Sequence, residues 1–325
     1  MNNPSPTSRF RSLCCRIAIA ITSIFLSDSF FAQNVQVDRA RLLQSQIQPQ
    51  TQLVPTVSSS GVENGQAAAS PNDADLGEQQ ILKQTEQYRA FTVSVAAPFY
   101  YTSNVALVRD GEVGDFLTAP AVGLFYEPRI TRTLFGLVDV RQQFFYYNQY
   151  NAFDFGSFDV EAGLTYYLPQ FHNLILRGRY DFNRLTSSDR ILDEFYSNHS
   201  IIVGAELPFR FGRAQQLSVG ADANISVAAD HESPRRNDYE VFLGYSLHLT
   251  RSFSLDSAGR LVVRDYYHGD RTDLSEIFAL SANLRLTPWW TMSAISSFAA
   301  SRSNHSIFDY NVANVGGAIA FSLKF

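Results

Sequence analysis

Cysteine is almost missing from this chain of 325 residues, since Cys14 and Cys15 are the only two and stand side by side near the amino terminus. A disulfide between neighbours is geometrically poor. Both also precede the apolar stretch that follows them, whereas a lipid-bearing cysteine would come after it. Once that stretch is removed no thiol is left, which excludes disulfides and thiolate chemistry. Long apolar runs are absent too. Beyond residue 32 no segment reaches the run of about 18 apolar residues that a spanning helix needs, so any membrane crossing must be made by strands. The mean hydropathy of −0.12 is far below that of a helical membrane protein. A strong positive charge is lacking: the formal net charge of −5 excludes a nucleic-acid binder driven by bulk basicity. No metal-ligand spacing, phosphate loop or Gly-x-Ser-x-Gly elbow is present, so neither metal nor cofactor is expected.

Six histidines stand at 172, 199, 231, 248, 268 and 305, two of them in the triplets Asn198-His199-Ser200 and Asn304-His305-Ser306. Adjacent strand residues point to opposite faces, so neither triplet is by itself a triad, and no enzyme is expected.

At the front, Arg9, Arg11 and Arg16 precede an apolar core over 17–26, and the segment closes near Ser29-Phe30-Phe31-Ala32. This reads as a secretory signal over 1–32 cut after Ala32, although Phe30 stands where a small residue is preferred; an uncleaved anchor is the alternative. Residues 33–90 are rich in Gln, then in Ser, Gly and Ala, with too little apolar matter for a core. They are expected to form a disordered periplasmic linker, able to reach a periplasmic partner, with one short helix allowed at 75–88. A plug inside a barrel is the second reading of that segment.

Aromatic residues are what the chain has in abundance, with 26 Phe and 16 Tyr. From Phe91 onward they sit in alternating segments of about a dozen residues, at 91–104, 115–127, 132–147, 156–168, 173–184, 195–209, 216–228, 238–250, 253–266, 274–287, 289–301 and 309–325. Each approaches or exceeds the nine to eleven residues of a tilted transmembrane strand. Short breaks such as Pro128-Arg-Ile-Thr131 alternate with longer polar ones such as 230–236. One parity is oily throughout: Tyr239, Val241, Leu243, Tyr245 and Leu247 against Asp238, Glu240, Gly244, Ser246 and His248. A soluble sandwich would alternate as well, with its oily side inward. Clusters near strand ends favour the membrane: Phe99-Tyr100-Tyr101, 144–147, Tyr166-Tyr167, Tyr266-Tyr267 and Trp289-Trp290 fit interfacial girdles. The expected fold is all-β, a single antiparallel up-and-down transmembrane β-barrel of about 12 strands over 91–325.

The last strand carries a resemblance. From Tyr310 the odd positions run Ala313, Val315, Ile319, Phe321, Leu323 and Phe325, and the chain stops on Phe325. This resembles the closing strand of bacterial outer-membrane β-barrels, which ends in Phe and is read by their insertion machinery. The resemblance implies an assembly signal at Phe321, Leu323 and Phe325, placement in the cell outer membrane, and contact with its lipid, with lipopolysaccharide and with that machinery. The opening strands, Tyr101-Thr-Ser-Asn-Val-Ala-Leu107, then Asp115-Phe116 and Pro120-Ala-Val-Gly123, are similar to a β-barrel porin family of Gram-negative exopolysaccharide neighbourhoods.

The polar parity, if it faces the lumen, supplies Asp139, Arg141, Asp159, Glu161, Arg177, Arg179, Asp181, Glu240, Arg260, Arg264, Glu276 and Arg285 as pore-lining candidates. Uncompensated charges there are costly, so the interior must be wet or ion-paired. Either the arginines form a basic track in an open path, or the charges pair off and fill a narrow lumen. Twelve strands fall between filled and open barrels. The expectation is a porin-like channel for passive passage of small hydrophilic solutes. The alternative is a non-conducting barrel that anchors an envelope or polysaccharide-export assembly.

Overall fold

A computed structural model of the protein describes residues 37–43, 89–187, 193–211, 214–250 and 252–325. The signal segment 1–32 and the helix expected at 75–88 lie outside the described residues. Thirteen strands follow one another: β1 (Phe91–Thr102), β2 (Asp115–Thr118), β3 (Ala121–Tyr126), β4 (Leu134–Tyr147), β5 (Phe155–Leu168), β6 (Leu174–Ser187), β7 (Glu194–Phe211), β8 (Gln215–Asp230), β9 (Arg236–His248), β10 (Phe253–Tyr266), β11 (Thr272–Arg285), β12 (Trp290–Ser303) and β13 (Tyr310–Lys324). β2 and β3 both pair with β1 on one side and β4 on the other. They are two halves of one stave, so the barrel has the twelve staves expected.

The break within that stave follows from Pro120, which has no N–H for the ladder. Its carbonyl still accepts from the Phe144 N–H at 3.0 Å, and the Ala119 N–H donates to the Pro98 carbonyl at 2.9 Å. The sheet therefore carries on through the gap with its parity unchanged. All pairings are antiparallel neighbours in sequence except the one that closes the barrel, where β13 meets β1 from Thr92↔Lys324 to Thr102↔Asn314. This leaves no free edge. Phe91 and Phe325 exchange backbone hydrogen bonds at that seam, which marks the end called lower here.

The oily parity lies outside. Val241, Leu243 and Phe278 are each about half exposed, at 53%, 51% and 53%. A sandwich would bury this face, and only a hydrocarbon surround makes so wide an apolar exterior tolerable. A lower aromatic girdle includes Phe91 between Tyr126 and Phe325, and Trp289 and Trp290 edge-on to Phe321. An upper girdle includes Tyr101 against Phe116, with Tyr146 and Tyr267 also exposed.

The girdle reading of the aromatic clusters needs correction. Because neighbours alternate, Tyr100, Phe145, Tyr147 and Tyr266 turn inward and are buried at the upper end of the lumen. What covers them corrects a second expectation. The linker reading of 33–90 does not extend to 37–43, which form a short helix, α1, inside the barrel. Val37, Ala40 and Leu43 pack on Tyr100, Leu117, Phe145, Tyr147, Phe155 and Tyr196. Leu42 packs on Leu107, Val262, Ile277, Ala299 and Val312 on the opposite wall.

Candidate functional site

The lumen has two storeys that differ in chemistry. In the lower storey a belt of charges runs around β4 to β10. The sequence suggests a ladder between acidic β5 and basic β6, but the register sets Glu161 opposite Asp181 and Gly163 opposite Arg179. The ion pair is therefore diagonal: Arg179 Nη1 reaches Glu161 at 2.7 Å. Gly163 makes this reach available, since a Cβ there would stand 2.7 Å from Arg179 Cγ. Arg141 pairs with Asp139 on its own strand at 2.7 Å, Arg260 lies 3.6 Å from Glu240, and Arg177 pairs with Glu206.

Two further carboxylates are held by neutral donors. Asp159 accepts from Asn183 and from Ser157 at 3.0 Å, and Asp181 accepts from Ser200 at 3.3 Å. The expected arginine track is thus broken up. Four of its six members face a carboxylate in the belt. Arg264 lies above it, donating to Ser275 at 2.7 Å and to Tyr310 at 3.3 Å, and Arg285 is exposed at the lower end of β11.

Glu276 is a correction, for its side chain is on the lipid face. Along β11 the inward residues are Asp273, Ser275, Ile277 and Ser281, while Glu276 shares the exposed parity with Leu274, Phe278 and Leu280. The remaining wall, from β11 through β13 to β3, presents small residues to the lumen, among them Ser281, Ser293, Ala318, Ala320, Ala96 and Ala121. These stay partly exposed except Ser281, and the belt side chains Arg141, Arg179, Glu161 and Glu240 are each about one-fifth exposed. Water therefore reaches the lower lumen.

The upper storey is dry. Tyr196, Phe145, Phe155 and Leu185 are fully buried around α1. Three polar ties fix the helix there. Asp38 Oδ1 accepts from Tyr266 Oη at 2.8 Å and from Arg236 Nη1, while Oδ2 accepts from Arg271 Nη2 at 3.0 Å. Arg39 Nη2 donates to the Phe153 carbonyl at 3.1 Å, with its guanidinium 4.2 Å from the Phe153 ring centre. Arg41 Nη2 donates to Tyr196 Oη at 2.8 Å. Burial pushes the Asp38 carboxyl up, but the guanidiniums of Arg236, Arg271 and Arg264 outweigh it and hold the group below the usual carboxylate range. For Arg271 burial works against the charge, and Asp38, Tyr266 and Asp273 more than restore it. Among the described residues no carboxylate forms an ion pair with Arg39, and burial lowers it from the usual arginine value against the opposing pull of Tyr147 and Asp154.

The upper cluster was not legible in the sequence because the partners in these three ties lie 114 to 233 positions from α1 along the chain. Only one signal was present, the three-residue spacing of Val37, Ala40 and Leu43 in an otherwise Gln-rich segment. The histidine triplet at 198–200 divides between the faces: Asn198 and Ser200 are buried inside, and His199 lies outside, where Nδ1 is 2.5 Å from Tyr180 Oη.

No family model matches the chain, and no curated protein does. Among solved structures it is similar to an outer-membrane channel of Pseudomonas putida F1, with a TM-score of 0.51 at 13% identity over 73% of this chain and 97% of that one. The translocator domain of the autotransporter NalP from Neisseria meningitidis gives 0.44 at 10% identity, covering 74% and 90%. The NanC porin gives 0.43 at 11% identity, covering 71% and 100%. At these identities the likeness is one of fold. The chain is a closed twelve-stave barrel of the bacterial outer membrane.

Proposed function

We propose that this barrel is a porin-like channel for small hydrophilic solutes, stoppered at its upper end by its own helix α1, and that it is not an enzyme. The observation that carries the reading is the contrast between storeys: charged belt side chains that water reaches, beneath a dry collar whose inward rings are covered by a separate helix. A barrel filled by its own wall would need no such helix. Small solutes would pass between the charged belt and the wall of Ser and Ala, exchanging hydration for carboxylate and guanidinium partners. Long loops of outer-membrane barrels face the exterior, which puts α1 at the outer mouth and Phe325 at the periplasmic rim, where Phe321, Leu323 and Phe325 serve as assembly signal. The likeness of 101–123 to the porins of exopolysaccharide neighbourhoods belongs to this proposal as well.

The buried helix also favours a second reading, a permanently closed barrel that anchors an envelope assembly. Planar-bilayer recording separates the two. The intact protein is expected to open rarely, and a variant lacking 37–43 to show discrete conductance steps. A deletion variant that folds and inserts but stays silent would refute the channel and leave the anchor.

A further inference from the structure

The upper storey contains a charge ledger that its wall alone cannot balance. β9 and β10 contribute Arg236 and Arg264, and the loop after β10 contributes Arg271; all three are at least 95% buried. The wall supplies two carboxylates against them. Asp238 accepts from Arg236 Nε at 2.8 Å, Asp273 accepts from Arg271 Nε at 3.0 Å, and the register places both beside Arg264. Three buried guanidiniums face two aspartates. The third anion is Asp38, which comes from outside the barrel sequence.

The geometry around Asp38 is that of a receptor for a carboxylate. Donors converge on both oxygens, two from guanidiniums and one from the Tyr266 hydroxyl. The receptor is fixed in advance of its occupant, because Arg271 lies 4.1 Å from the Tyr266 ring centre and 3.7 Å from that of Phe308. One donor remains unused: Arg271 Nη1 is buried with no hydrogen-bond partner among the described residues. Without Asp38 the cluster would keep an uncompensated buried cation, an arrangement that strongly favours refilling by another anion.

We infer that Arg236, Arg271 and Tyr266 form a carboxylate-binding site at the upper mouth of the lumen, occupied in this state by Asp38 as an intramolecular ligand. A carboxylate-bearing solute competes with Asp38, and its binding releases α1. The inference rests on the channel reading only for the route the solute then takes. Binding and release are measured on the detergent-solubilised barrel, so a barrel that never conducts can still show them.

Trypsin supplies the readout, since Arg39 and Arg41 on α1 are cleavage sites shielded by docking. Cleavage of a transiently opened segment follows the population of the open form. The peptides ending at Arg39 and Arg41 would be quantified by mass spectrometry with glucuronate as probe, and with glucose or sodium chloride at matched concentration and ionic strength. Glucuronate is expected to speed cleavage of the intact protein at least about tenfold, the equivalent of ~1.4 kcal/mol, over both controls. Asp38→Asn should be cut quickly with no solute present. Arg271→Gln should also be cut quickly but should no longer respond to glucuronate, and Arg271→Lys should restore part of the response. Heat-modifiable gel migration confirms that each barrel is closed. Equal cleavage in glucuronate and in chloride would overturn the inference, as would an Asp38→Asn protein as resistant as the intact one.

Discussion

The Arg177–Glu206 pair offers a quantitative test of the lower belt. Glu206 is 1% exposed and its partner's side chain 10%, so the pair is screened from lumen water far more than Arg179–Glu161 is. Changing Arg177 to Gln leaves a buried carboxylate facing a neutral amide. Breaking a buried pair on one side costs about 3–5 kcal/mol. An independent ceiling comes from protonation. Neutralising an ordinary glutamate about three pH units above its reference value costs about 4 kcal/mol at 1.36 kcal/mol per unit, so the loss should not exceed that near pH 7.5. Slight lumen access of Arg177 puts the expected value at the lower part of the range, about 3 kcal/mol. Removing both charges, as Arg177→Met with Glu206→Leu, should cost far less, since an apolar pair of similar volume is often neutral. Reversible urea unfolding in lipid vesicles, followed by the fluorescence of Trp289 and Trp290, measures both. Below about pH 6.5, where protonation becomes cheaper than a penalty of about 3 kcal/mol, the single variant's deficit should shrink by about 1.4 kcal/mol per pH unit, because protonation removes the stranded charge. A single variant within about 0.5 kcal/mol of the parent, or a double variant worse than the single, would refute the assignment of a dry ion pair.

Gly163→Val would drive a side chain into Arg179 and separate it from Glu161; overpacking of this kind costs about 1–3 kcal/mol, and the same unfolding assay should show it. Glu276→Leu should stabilise the barrel by roughly 1 kcal/mol or more, since it removes a charge from the lipid face; destabilisation would mean that the side chain belongs inside. Deleting Phe325 removes the Phe91 seam hydrogen bonds and the ring contact 6.3 Å away, and should slow membrane insertion of the barrel in vesicle assembly assays while leaving single-channel current unchanged. Docking of α1 should hold across neutral and mildly acidic pH. Asp38 is held below its free value, so its contribution is present above the free carboxylate value near 3.9 and is lost only as pH falls through the lower docked value. Amide exchange of 37–43, corrected for intrinsic rates, should therefore stay slow at pH 5 and quicken below about pH 4.

The sequence alone determined the strands, their number and the face each residue takes. Period two is a local property, and the exposed parity of Val241, Leu243 and Phe278 is already written in its apolar composition. Glu276 shows the limit of reading by polarity instead of parity: its neighbours at two residues' spacing, Leu274 and Phe278, had already assigned it to the outer face. Which charges meet was not legible, because one register step decides whether Glu161 faces Asp181 directly and reaches Arg179 only on the diagonal. The destination of 37–43 was even further from view. Those residues look like linker because their composition cannot make a core of its own. They are helical and buried only because the barrel closes an apolar collar, three guanidiniums and a tyrosine hydroxyl around them, from strands and a loop far along the chain. Tertiary structure alone turned this segment into a helix buried against the inner wall of the barrel.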